Sequence, residues 1–169
     1  AFIESFRVVR RENPRGIVLA NLSALSTPED AAAAVEMLEA DALQLHLNAA
    51  QEAIMAEGEC DFRGVLENIQ CICREIPVPI IVKEVGCGIS QEVAGLLFGA
   101  GVRYLDIGGR GGTNFVSIEE NRLKRMTVLR GWGIPMPASL LEVVCSGLPM
   151  CLIAGGGIKN PLDMAKVLV

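Results

Sequence analysis

Aromatic residues are scarce in this sequence: one Trp, one Tyr and five Phe among 169 positions. Its apolarity, 51% of residues, therefore comes mostly from Ala, Leu, Ile and Val. Histidine is scarcer still, since His46 is the only one. The six cysteines, at 60, 71, 73, 87, 145 and 151, form no Cys-x-x-Cys pair. Together these absences exclude the usual zinc ligand patterns. The cysteines read instead as reduced, cytosolic residues packed as small hydrophobes, as in VVCSG and MCLIAG. No apolar run approaches the ~18 residues that cross a bilayer, so no membrane is expected as partner. The N-terminus, AFIESFRVVRRENPRG, lacks the apolar core of a signal peptide, and it lacks an initiator Met, as a trimmed or partial chain would. A formal charge of -5 argues against nucleic acid as partner. The basic cluster Arg7, Arg10, Arg11 and Arg15 reads as a solvated helix end.

What is present is a regular alternation. Five short apolar runs are of strand length: Gly16–Asn21, Ala42–His46, Pro79–Lys83, Arg103–Ile107 and Met150–Ala154. Helical patterns lie between them. Thr27-Pro28-Glu29-Asp30 supplies an N-cap, a Pro at the first helical position and first-turn acids for AAAAVEMLEA. Phe62–Glu75 carries Phe62, Val65, Leu66, Ile69 and Ile72 at helical spacing. Ser90 caps a third helix that Gly101 ends, Pro137–Cys145 forms a fourth, and Asn160-Pro161 starts a fifth that reaches Val169. Two connections are long, Leu47–Asp61 and Gly108–Met136.

Such βα units predict an α/β domain over residues 1–169 with a parallel sheet. The first strand is followed by Asn21-Leu22-Ser23, not by the Gly-x-Gly-x-x-Gly turn of a dinucleotide fold. Polar and Gly-rich residues follow nearly every strand, which is the habit of a (β/α)₈ barrel. Five strands cannot close one, so the expected architecture is a partial TIM barrel of about five parallel strands with intervening helices.

Three groups of residues could carry chemistry. Gln44 to Glu52 places His46, Asn48, Gln51 and Glu52 just past a buried strand. Lys83 ends an apolar strand, where its charge must meet an anion or pair with a neighbour. Gly108 to Asn114 and Gly155-Gly156-Gly157-Ile158 are Gly-rich loops whose N–H groups suit phosphate, with the Thr113 hydroxyl as a further donor. Two such loops and a strand-end Lys suggest a phosphorylated cofactor.

Four segments carry a family resemblance: ALQLHLNAAQE, PIIVKEVGCGIS, YLDIGGRGGTNF and AGGGIKNPLDMAKVL. In order and separation they resemble type 2 isopentenyl diphosphate isomerase, an FMN-dependent barrel family. The resemblance implies a 1,3 proton shift converting isopentenyl to dimethylallyl diphosphate in isoprenoid biosynthesis, with no net redox change. It implies reduced FMN, Mg²⁺ and NADPH as priming reductant. His46, Lys83 and Gln51 would be catalytic, and Asn48 and Gln51 would face the substrate. Asn21, His46, Lys83, Thr113, Gly156 and Gly157 would hold FMN, with Lys83 near the N1/O2 edge. Glu52 would hold Mg²⁺. The sequence departs from the family pattern at Ala56, Glu59, Cys60 and Gly155.

By the same resemblance the five strands are the third to seventh of the barrel, and the chain is a piece of a longer cytoplasmic enzyme. Its open edges would favour a homo-oligomer, and its activity in isolation is not expected. Two alternatives stay open: another FMN barrel, such as a 2-hydroxy-acid oxidase or a glutamate-synthase-like domain, and a non-catalytic, self-associating module.

Overall fold

A computed structural model describes residues 2–168. Its elements are α1 (Phe2–Glu12), β1 (Leu19–Ser23), α2 (Pro28–Leu38), β2 (Ala42–Leu47), α3 (Ala49–Glu52), α4 (Val65–Glu75) and β3 (Ile80–Glu84). There follow α5 (Gln91–Gly99), β4 (Tyr104–Asp106), α6 (Phe115–Leu123), a 3-10 turn (Val128–Gly131), α7 (Met136–Cys145), β5 (Cys151–Ile153) and α8 (Pro161–Val167).

The five strands form one sheet in the order β1-β2-β3-β4-β5. Every pairing is parallel. The expected parallel α/β architecture is therefore present, but the sheet is open: β1 and β5 each have one neighbour, so strand pairing does not define a barrel.

Side chains alternate across the pleat. Ala20, Leu43, Leu45, Ile80, Val82 and Leu105 point to one face and are buried, joining a single apolar cluster. Helices supply the rest of that cluster: Ala31, Ala34 and Leu38 from α2, Ile69 and Ile72 from α4, Ala94 and Leu97 from α5, and Val143 from α7. Each large aliphatic side chain removed from water here contributes about 1.5–3 kcal/mol. The other face carries Leu19, Asn21, Gln44, His46, Lys83, Tyr104, Asp106 and Ile153, of which Leu19, Tyr104 and Ile153 are each about two-fifths exposed.

Local chemistry sets the helix ends. The Thr27 hydroxyl accepts from Asp30 N at 3.1 Å and the Asp30 carboxylate accepts from Thr27 N at 3.3 Å, a reciprocal cap. Ser90 and Asn160 cap α5 and α8 through their side-chain oxygens. The last helix stops at Val167, and Val169 lies outside the described residues.

Several expectations shift. The first strand begins at Leu19, not Gly16, because its pairing starts at Leu19↔Ala42; Ile17 is 79% exposed. The two long connections are not bare loops, since they hold α3, α6 and the 3-10 turn. The basic N-terminal cluster is not merely solvated. Arg10 donates to Gly16 O at 3.0 Å, Glu39 O at 2.6 Å and Asp41 Oδ2 at 2.7 Å, tying α1 to the turn before β2. Cys60, Cys145 and Cys151 are exposed, not packed, and all six thiols are free.

Candidate active site

Two glycine loops meet at the carboxyl end of β4 and β5. The ladder continues past the strands, with Ile107 N donating to Ile153 O and Gly109 N to Gly155 O, each at 2.9 Å. Gly156 and Gly157 have φ of 120° and 91°, and a Cβ on either would lie 2.0 and 2.3 Å from the Gly109 and Gly111 carbonyl oxygens. Only glycine permits that approach. Among the described residues, the N–H groups of Gly111, Gly112, Gly156 and Gly157 donate no hydrogen bond to the protein. Together with Lys83, Asp106 and Thr113, the loops line a cleft of about 270 Å³. Lys83 Nζ donates to Glu84 O at 3.1 Å. The residues therefore fit a phosphorylated group: uncommitted N–H donors, a hydroxyl and one cation share a single cleft.

Strand register sets the next group. Ser23, His46, Lys83, Asp106 and Ile153 align across the five strands. His46 Nδ1 lies 2.8 Å from Asn21 Oδ1. Asn21 Nδ2 donates to Gln44 Oε1 at 3.0 Å, and Gln44 Nε2 reaches Asp106 Oδ2 at 3.5 Å. Burial holds the His46 imidazole below its ordinary value, and the Lys83 cation adds to that against an opposing pull from Glu52. Burial pushes the Asp106 carboxyl up, while Lys83 and the Gly108 N–H hold it back.

The segment after β2 builds a second cleft of about 220 Å³, lined by Asn48, Gln51, Arg110, Thr113, Arg130 and Trp132 among others. Gln51 Nε2 approaches the Glu119 carboxylate of α6 at 3.4 Å. Arg122 Nη1 pairs with the other Glu119 oxygen at 3.0 Å, and its Nη2 pairs with Glu57. The neighbouring Glu120 is also buried; its Oε1 accepts from Thr127 N and Oγ1. Its Oε2 accepts no hydrogen bond, with Arg130 Nε 3.6 Å away.

Glu52 stands apart from these clefts. Its oxygens accept from Asn48 Nδ2 at 2.6 Å and Glu59 N at 2.9 Å. Among the described residues, no group of three or more His, Cys, Asp or Glu is placed to hold a metal ion. A single carboxylate fits Mg²⁺ only in the mode where substrate phosphates and water complete the shell.

Glu84 has a structural role. It is buried, and its Oε2 accepts from the N–H groups of Val85, Gly86 and Cys87 at 2.7, 3.1 and 2.7 Å. Burial raises its carboxyl, against those three donors and Lys83. Burial and Glu84 together push the Cys87 thiol up to about 11, so it is not a thiolate at neutral pH.

The structure thus brings Lys83, Thr113, Gly156 and Gly157 into one cleft and Asn48, Gln51 and Thr113 into the adjoining one. His46 and Asn48 share a third, more apolar cleft with Ser23, Leu25, Phe62 and Val93. Asn21 bonds His46 and Glu52 bonds Asn48, but neither lines any of these three clefts. Sequence reasoning missed Gln44, Asp106, Glu84 and Glu119. A polar side chain at every second position of QLH and a lone Asp in YLDI were the available signals for the first two.

Polar side chains and glycine loops gathered at the carboxyl ends of consecutively ordered parallel strands define an α/β protein with its ligand site at that end. No protein-family model matches the sequence. Curated proteins do. The chain is 54% identical over 166 residues to a protein named isopentenyl-diphosphate delta-isomerase from Moorella thermoacetica, covering 98% of this chain and 48% of that protein. It is 55% identical over 172 residues to one of the same name from Symbiobacterium thermophilum, covering 99% and 47%. A third, from Bacillus pumilus, is 52% identical over 163 residues, covering 96% and 46%. The chain spans about half the length of the curated relatives it matches.

These names correct the narrower resemblance. They carry no type, and the match covers under half of each relative. The sheet is an open one of five strands. Assignment to a type 2 enzyme, and to the third to seventh strands of its barrel, is therefore withdrawn in favour of similarity to isopentenyl-diphosphate delta-isomerases without a type.

Among the described residues, no helix is long and apolar enough to cross a membrane.

Proposed function

We propose that this chain forms one wall of the active site of an isopentenyl-diphosphate isomerase, the activity belonging to a protein of about the relatives' length. The reaction moves a proton: one is added at the terminal alkene carbon and one leaves the allylic carbon, giving dimethylallyl diphosphate without net redox change. The observation that carries the reading is the cleft that unites Lys83, Thr113 and the two glycine loops, in a chain similar to proteins of that name.

In this reading Lys83, Thr113 and the glycine loops would hold FMN, the loop N–H groups supplying donors for its phosphate and Lys83 a positive charge in the same cleft. Reduced FMN, when bound, supplies acid–base chemistry to the alkene, and NADPH serves as the priming reductant. The chain's own residues orient and polarise. Lys83 stabilises negative charge in a cleft partly shielded from water. His46, held neutral by burial and by Lys83, offers a lone pair and no second positive charge. Asn48 and Gln51 line the adjoining cleft as substrate contacts, with Gln51 steered by Glu119. Glu52 would be the carboxylate that this chain offers to Mg²⁺, with substrate diphosphate and water as further oxygen ligands. The uncovered sheet face and the two sheet edges are completed by further chain, as in a larger α/β barrel.

The test is a chimera in which residues 2–168 replace their counterpart in the Moorella thermoacetica protein. Conversion of isopentenyl diphosphate at a rate comparable to the parent supports the reading. A folded, flavin-loaded chimera with no conversion contradicts it.

A further inference from the structure

The open sheet face carries a hydrogen-bonded line that runs from β4 to His46 and has a direction. Asp106 stands at one end, and an ionised carboxylate only accepts. Gln44 must therefore turn its amide nitrogen toward Asp106, as seen for Nε2 at 3.5 Å from Oδ2. Its oxygen is left for Asn21, whose Nδ2 donates to it at 3.0 Å. Asn21 then has only its oxygen for His46, and that oxygen lies 2.8 Å from Nδ1. An oxygen acceptor at that distance requires a proton on Nδ1. Reversing any one amide places two acceptors or two donors face to face.

We infer that Asp106, acting through Gln44 and Asn21, holds His46 in its Nδ1-protonated neutral tautomer and leaves Nε2 as a lone-pair acceptor. Asp106, Gln44 and Asn21 are positioning residues in this scheme, since they act on the imidazole and not on a reacting atom. Two further features support it. Strands β1 to β4 are locked in register, with Asn21 opposite Gln44 and His46 and Asp106 flanking Lys83, so the line is built on rigid elements. Lys83 also disfavours a doubly protonated ring. The consequence for chemistry rests on the isomerase reading: His46 accepts a hydrogen bond or a proton at Nε2 and does not donate there. A ligand group placed against Nε2 must then be a donor.

Because His46 is the only histidine, its ring nitrogens can be read directly. Long-range ¹H–¹⁵N correlation at about pH 8, where an ordinary imidazole is neutral, reports which nitrogen carries the proton. The wild-type chain is expected to give a protonated-type Nδ1 and an unprotonated-type Nε2 resonance. A dominant Nε2–H signal overturns the proposal. Gln44→Leu and Asp106→Ala should each lower the ratio of Nδ1–H to Nε2–H by about tenfold, the worth of one directing hydrogen bond. An unchanged ratio in folded Asp106→Ala overturns the role of Asp106. A mere shift of the His46 titration without a change of tautomer does the same, because it reports charge and not the relay. If both variants unfold, the wild-type spectrum decides. No ligand is needed, so an inactive chimera would remove the isomerase reading while leaving the tautomer result standing.

Discussion

The same five strands present two faces that serve different ends. On the covered face, Ala20, Leu43, Leu45, Val82 and Leu105 are fully enclosed by four helices. On the open face the alternating positions hold Asn21, Gln44, His46, Lys83 and Asp106, joined by hydrogen bonds and by strand register. Adjacent residues in one strand can therefore differ completely in what they do. Period-two alternation divides the sheet into a half that supplies stability and a half that supplies a polar surface, and the glycine loops extend the second half into clefts.

The sharpest way to break this contrast is a pair of neighbours. Leu105→Ala removes a fully buried side chain and should cost about 2–5 kcal/mol in denaturant unfolding. One step upstream, Tyr104 is 40% exposed on the open face, and Tyr104→Ala should change stability by about 0.5 kcal/mol or less. Similar costs for the two would erase the distinction between the faces. Between these extremes lies the cap of α2, a helix that covers the buried face. Thr27→Ala removes the hydroxyl that accepts from Asp30 N and should cost about 1 kcal/mol. The smallest signal is in pH. His46 has its folded value below the ordinary 6.5, with burial the larger cause and Lys83 the second. The unfolded chain then binds the proton more readily, so this contribution to stability is present above about 6.5 and is lost as pH falls through the lower folded value. An NMR titration of the single imidazole should find its midpoint below 6.5, and Lys83→Ala should raise that midpoint.

Much of the covered face was legible in the sequence, because apolar runs are what buried parallel strands require. Four of the five strands lie within a residue or two of the runs that predicted them, and the Thr27, Ser90 and Asn160 caps fall where their chemistry placed them. The failures have physical causes. Gly16 and Ile17 belong to an apolar run but precede the point where β1 meets β2. Helix α6 escapes apolar periodicity because its buried positions include Glu119 and Glu120 as well as Val116. Arg10 looked solvated because its acceptors, Glu39 O and Asp41, lie about thirty residues away and meet it only through the fold.

The candidate site was legible in part for a related reason. Lys83, His46 and the glycine loops are conspicuous residue types at strand ends. Gln44 and Asp106 are ordinary residues that matter through register, which one strand read alone does not reveal. The pattern of polar strand ends locates a ligand face without fixing how many strands surround it, and five strands leave the sheet open at β1 and β5, as their number alone requires.

The most direct test of the central claim compares FMN with riboflavin, which lacks the phosphate. It uses the Moorella thermoacetica protein carrying residues 2–168 of this chain. If the glycine loops and Lys83 form a flavin-phosphate cleft, FMN should bind at least about tenfold more tightly than riboflavin, and Lys83→Ala should weaken FMN by about tenfold. Equal affinity for the two flavins, or FMN binding untouched by Lys83→Ala in a folded protein, would contradict the account.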